Sequence, residues 1–151
     1  MATHQFSESA LIQAPAKEVY HIIADYQDGH DKILPKPPFV SLEVEEGGIG
    51  AGTVIQVTMR VMGRLQTFGA TITEPEPGRV LVETNDTGYV TTFTVDPRET
   101  GQQAYVTIAT EMPNQGGIGG LFERWLVPRM LRPVYVKELG KLEEVAMQRV
   151  G

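Results

Sequence analysis

The stretch Leu121–Val150, LFERWLVPRMLRPVYVKELGKLEEVAMQRV, decides the fold. From Leu121 to Val136 its apolar residues are Leu121, Phe122, Trp125, Leu126, Val127, Met130, Leu131, Val134, Tyr135 and Val136. That is too many for the single stripe of a surface helix. From Leu139 the pattern narrows. Leu139, Leu142, Val145, Ala146 and the stem of Arg149 recur at helical spacing, while Lys141, Glu143, Glu144 and Gln148 fall off the stripe. The second half reads as a helix packed on a core, the first as a lid over a cavity. Pro128 and Pro133 each remove an intrahelical hydrogen bond, so a bend or break, or a restart at Pro128, is predicted between Val127 and Val134. The stretch Gly116 to Gly120 reads as a hinge that lets the lid move, which predicts gated access.

Working outward, His4 to Ile12 has the composition of a first strand. Pro15 then sits where a first helical turn tolerates a missing donor, and Val19, Ile22, Ile23 and Tyr26 follow at helix spacing until Asp25 ends that helix and organises the next turn. Prolines 35, 37 and 38 limit Asp28 to Pro38 to a short helical turn and extended chain. Six strand-like segments follow: Phe39 to Glu45, Thr53 to Val61, Leu65 to Glu74, Arg79 to Asn85, Tyr89 to Val95 and Gln103 to Met112. Glycine-rich or proline-rich turns separate them, among them Gly47 to Gly52, Met62-Gly63, Pro75 to Gly78, Asp86 to Gly88 and Asp96 to Gly101. Short connections imply an antiparallel meander. Ile55, Val57, Met59 and Val61 alternate with Gln56, Thr58 and Arg60, and Phe68, Ala70, Ile72 and Val106, Ile108, Met112 repeat the alternation, so one face is apolar. A sheet of that kind needs a cover, and a helix of 30 residues spans about 45 Å, enough to provide it.

The chain has 151 residues, no cysteine and a net charge of −6. One domain over residues 1–151 is expected, burying roughly 70% of the surface of the unfolded chain. Disulfides, thiolate chemistry and cysteine zinc sites are excluded. The charge argues against a nucleic-acid partner. It is also uneven. Arg124, Arg129, Arg132, Lys137, Lys141 and Arg149, six of the thirteen Lys and Arg, face four acids in the last helix, leaving seven cations and fifteen acids, −8, on residues 1–118. The basic helix reads as a solvated face, or as a surface for anionic head groups. A polar start, Met1 to Glu8, and the absence of about 18 consecutive apolar residues predict a cytoplasmic protein.

Strand, helix, short turn, six-strand meander and long C-terminal helix is the order of the α+β helix-grip fold. In that fold a seven-stranded antiparallel sheet curves around the long helix, with one or two short helices after the first strand. The string Ile12-Gln13-Ala14-Pro15, then Glu18-Val19-Tyr20 and Asp25, resembles the opening segment of the START-type SRPBCC superfamily. Phe93 before Asp96-Pro97, and Gly116 to Gly120, are similar to its polyketide cyclase/dehydrase-like branch. The resemblance covers the whole chain. It implies a deep cavity between sheet and helix for an apolar or amphipathic molecule, in a superfamily of carriers, cyclases and hydroxylase partners.

Strand parity and helix spacing place Val57, Met59, Phe68, Thr91, Phe93, Ile108 and Thr110 of the sheet in such a cavity. Tyr26, His30 and Ile33 join them from the first helix and turn, and Met130, Val134 and Tyr135 from the lid. Met59 and Met130 suit an adaptable apolar wall. His4, His21 and His30 have no metal-ligand spacing. Ser7, Ser9 and Ser41 have no nucleophile motif, and neither glycine cluster ends as a phosphate loop does. No metal site and no cofactor is implied. His30-Asp31 is the one polar pair near the expected mouth, with His30 the candidate acid or base, although a solvent-facing turn is the more common setting. Glu83, Glu111 and Arg60 read as outward strand residues.

The leading reading is binding or transport of a hydrophobic small molecule, of lipid, polyketide or quinone-like character. An alternative is a cyclase or dehydratase using His30, Tyr26 or Tyr135 for proton transfer. Another is an interaction module in which Phe122, Trp125 and Leu126 form a homodimer or peripheral membrane contact.

Overall fold

The inward face of the sheet follows from residue parity. In the computed structural model, which describes residues 4–113 and 116–150, β7 (Gln103–Met112) buries each even-numbered residue Ala104, Val106, Ile108, Thr110 and Met112. β1 (His4–Ile12) pairs with it so that Phe6 lies opposite Thr110 and Ile12 opposite Ala104. The remaining strands are β2 (Phe39–Glu46), β3 (Val54–Val61), β4 (Arg64–Glu76), β5 (Val80–Asn85) and β6 (Val90–Arg98). The sheet has seven antiparallel strands in the order β1-β7-β6-β5-β4-β3-β2, a meander whose last strand is closed by the first. This is the helix-grip arrangement.

Two short helices follow β1. In α1 (Ala16–Ala24), Val19, Tyr20, Ile22 and Ile23 are buried. Asp25 ends it, its carboxylate accepting from the backbone N–H groups of Gln27 and Asp28 at 3.1 and 3.2 Å. α2 (Gly29–Ile33) is one turn and a half, and it buries His30 as well as Ile33. His30 thus turns inward, in keeping with its expected place among the cavity residues, and the solvent-facing turn weighed for His30-Asp31 does not hold for it. The glycine preceding it explains why, since a Cβ at Gly29 would lie 2.7 Å from the Ile22 carbonyl, an approach that brings α2 hard against α1 and carries His30 inward.

The long helix α3 (Gly117–Val150) lies against β1, α1 and α2. Tyr135, Glu138, Leu139, Leu142 and Ala146 form its buried stripe. Polar ties fix the same half. Glu143 accepts the Gln13 N–H at 2.9 Å, and Arg149 lies 3.5 Å from Glu18 and 3.8 Å from Asp28. Arg132 bonds Glu8 at 2.7 Å.

Three expectations change in detail. The predicted break or restart at Pro128 is absent, because α3 continues through Pro128 and Pro133 as one helix of 34 residues. Each proline lacks the N–H that would close a helical bond to the preceding turn, yet the turns on either side hold. Gly116 to Gly120 is also less of a separate hinge than expected: Gly117, at φ +79°, opens the helix and Gly120 is already buried within it. That left-handed conformation suits a residue without Cβ. The Asp96-Pro97 turn is displaced to Glu99–Gly101, since β6 runs on to Arg98 with Pro97 opposite Ala104. Paired residues between β5 and β6 end at Val80 and Thr94, so the N–H that Pro97 lacks is not required by β5.

Candidate functional site

β1, β7 and β6 are covered by α1 and the C-terminal half of α3, whereas the inner faces of β2, β3 and β4 look into a cavity of about 940 Å³. Leu42, Ile55, Val57, Met59, Phe68 and Ala70 form its sheet wall. Phe122, Leu126, Val127, Met130, Leu131 and Val134 of α3 form the opposing wall. The over-apolar first half of the helix is thus a cavity wall. Its outer side is a second apolar surface, with Ile118, Leu121 and Trp125 exposed and the Arg129 guanidinium 4.6 Å from the Trp125 ring. Of the three residues assigned to ligand or partner, Phe122 and Leu126 line the cavity, and Trp125, 54% exposed, turns away. Tyr89, just before β6, pins this half by donating to Glu123 at 2.8 Å.

Ten of the thirteen residues predicted for the cavity line it: His30, Val57, Met59, Phe68, Thr91, Phe93, Thr110, Met130, Val134 and Tyr135. Tyr26, Ile33 and Ile108 stand behind the wall, buried in the core. Tyr26 keeps an indirect place, its ring stacked on His30 at 4.3 Å. Arg60 and Glu111 are exposed as expected, although Arg60 reaches the cavity rim.

The deep end is polar, which strand parity misjudged. Glu83 was expected to face outward and instead lines the cavity. Leu81, fully buried, has the same parity on β5, and Glu83 lies opposite the inward Thr91. Its Oε2 accepts from the Tyr26 hydroxyl at 2.6 Å and lies 3.5 Å from His30 Nε2, while His30 Nδ1 is 2.7 Å from the Ile23 carbonyl. Beside this cluster, Tyr135, Thr110 and Thr91 form a hydroxyl chain with steps of 2.6 and 2.8 Å. Burial raises the Tyr26 hydroxyl well above its ordinary range, with the Glu83 charge adding to it, and burial raises Tyr135 too. Both remain proton carriers at neutral pH.

Glu138 was not singled out at all. It is 3% exposed and lines the cavity from α3; no fully buried side-chain polar atom among the described residues lacks a partner, so the Glu138 oxygens, which bond no described residue, open onto the chamber. Burial pushes its carboxyl well above the usual carboxylate range, and Glu83 pushes in the same direction. A signal existed. Counting back one heptad from Val145 on the packed stripe lands on Glu138, but within KELGKLEE it reads as one more solvated charge. Among the described residues no group of three or more His, Asp or Glu is arranged to hold a metal ion, and no helix is long and apolar enough to cross a membrane.

A curved sheet gripping a long helix around a mostly apolar chamber defines a helix-grip cavity protein of the SRPBCC superfamily. The family described as polyketide cyclase/dehydrase and lipid transport matches residues 3–147, and the chain belongs to it. The KanY protein (ms6282), solved in solution, is similar over 97% of this chain and 99% of its own, at 29% identity and a TM-score of 0.83. The Zhui aromatase/cyclase from Streptomyces sp. R1128 shares the fold at 17% identity and TM-score 0.77, over 99% of this chain and 97% of its own. TTHA0849 from Thermus thermophilus shares it at 22% identity and TM-score 0.77, over 97% and 99%. No curated protein matches the chain.

Proposed function

We propose that the chain binds an apolar or amphipathic small molecule, of lipid, polyketide or quinone-like character, in the chamber between sheet and α3. The chamber itself carries the reading. At about 940 Å³ it has the size of a ligand site, and its walls are mostly aliphatic and aromatic with a few convergent polar groups at one end. Transfer of a ligand's apolar surface into it is favourable by roughly 25 cal/mol per Å² removed from water. Native mass spectrometry of gently purified protein, with titration of an apolar fluorescent dye, tests this. A bound species or saturable dye uptake is expected, and an interior that holds neither overturns it.

A second reading, a cyclase or dehydratase, is supported by one observation: His30, Glu83 and Tyr26 interlock at the deep end, with Glu83 Oε2 within 3.5 Å of polar atoms of both the others. Such a cluster can take or give a proton. His30→Ala separates the two readings, since a carrier keeps its affinity for a bound compound while an enzyme keeps binding and loses turnover.

A further inference from the structure

We infer that the deep end of the cavity receives the ammonium head of an amphipathic amine, held between the Glu138 and Glu83 carboxylates with its apolar body toward the mouth. The inference rests on the cavity-binding reading and narrows it to a ligand class. Its basis is an excess of acceptors. Among the polar groups that line the chamber with Glu138 are Glu83 from β5, His30 from α2, Thr91 from β6, Thr110 from β7 and Tyr135 from α3 itself, with Tyr26 behind them. Most of their donors are already engaged: Tyr26 with Glu83, His30 Nδ1 at the Ile23 carbonyl, and two of the three hydroxyl hydrogens of Tyr135, Thr110 and Thr91 within their own chain. No fully buried side-chain polar atom among the described residues lacks a partner, and Glu138, with no hydrogen bond to a described residue, has its oxygens open to the chamber, where a ligand can reach them. The lysine and arginine that line the cavity, Lys137 and Arg60, are both exposed.

The component that best complements this end is therefore a donor, and a positive one. A carboxylate-headed lipid would bring a further negative charge toward Glu83, with no donor for either acid. An alcohol offers one neutral O–H. A primary ammonium offers three N–H donors and a charge that both acids complement, and such charge-assisted bonds are about twice as strong as neutral ones. In the empty chamber burial and Glu83 both disfavour the charge on Glu138, so its carboxyl keeps its proton to higher pH than an ordinary one. On binding, the ammonium N–H replaces the acid proton, which passes to solvent, so about one proton leaves for each amine bound. The apolar end of the ligand then meets Met59, Phe68 and Met130 on the way to the exposed Met62 and Phe122.

The test uses naphthylethylamine, naphthylethanol and naphthylacetate, one ring system with three heads, titrated calorimetrically into the full chain in buffers of differing ionisation enthalpy. The amine is expected to bind about tenfold or more tightly than the alcohol, with naphthylacetate weakest and about one proton released per amine. Glu138→Gln is expected to bring the amine to within about threefold of the alcohol and to abolish the proton release. Glu83→Gln should narrow the same gap, and the wild-type proton count stands even if a variant folds poorly. Naphthylacetate binding as tightly as the amine, or an amine preference that survives Glu138→Gln, overturns the proposal. Saturable binding of the alcohol without an amine preference overturns it while leaving the cavity-binding reading in place. Failure of all three heads removes both.

Discussion

Replacing Glu138 by Gln should make the protein more stable at neutral pH and remove a slope from its stability profile. In the folded chain burial and Glu83 hold this carboxyl well above its ordinary value of 4.5, which an unfolded chain restores. Between those two values the folded state carries one proton that the unfolded state has lost. Stability must then fall as pH rises, by ~1.4 kcal/mol for each pH unit in that interval. Below the unfolded value both states are protonated and the full stability is present. Above the folded value both are ionised and the loss is complete. For a chain of this length the slope corresponds to a Tm change of roughly 3–5 °C per pH unit. Tyr26 and Tyr135 are raised in the same sense, but from an ordinary value of 10.0, so their contribution is lost only in alkaline solution. Urea unfolding of wild type and Glu138→Gln at several pH values from about 5 to about 7 isolates the effect, since every group except Glu138 is common to both. The wild-type profile should drop away from that of the variant as pH rises. Parallel profiles would refute the buried, partnerless carboxyl.

Leu142→Ala removes a 1% exposed side chain from the packed stripe of α3 and should cost about 2–5 kcal/mol, whereas Trp125→Ala, at 54% exposure, should cost less than about 1 kcal/mol in the same denaturation assay. Val57→Trp projects an indole into the chamber and should abolish dye uptake while changing stability by only about 1–2 kcal/mol, because the added atoms enter void and not packed core. Tyr89→Phe deletes the 2.8 Å bond to Glu123 and should speed amide hydrogen exchange over residues 117–133, leaving residues 134–150 slow. Equal exchange in both halves of α3, in variant and wild type, would show that the first half is not the looser one.

The division of labour within α3 was readable because burial writes itself as period: where one face packs, Leu139, Leu142 and Ala146 recur and charges fill the gaps. The meander was equally open to reading, since its turns are glycine and proline at places where several backbones adopt positive φ, Gly47, Gly50, Gly63 and Gly88 among them. What resisted was the placement of polar residues inside. Periodicity assigns a charge to solvent by default, and the default fails where a concave sheet and a helix enclose space instead of packing. Glu83 shares the inward parity of Leu81, and Glu138 sits on the stripe that contains Leu142, so both lie on the face that a core would forbid to a carboxyl. The prolines point the same way. Pro128 and Pro133 were expected to interrupt the helix, but it continues along the part whose inner face meets a chamber, where fewer packed neighbours depend on its line. A wall tolerates in its acids and its prolines what a core would reject, and those exceptions to local pattern coincide with the site because the same void permits them all.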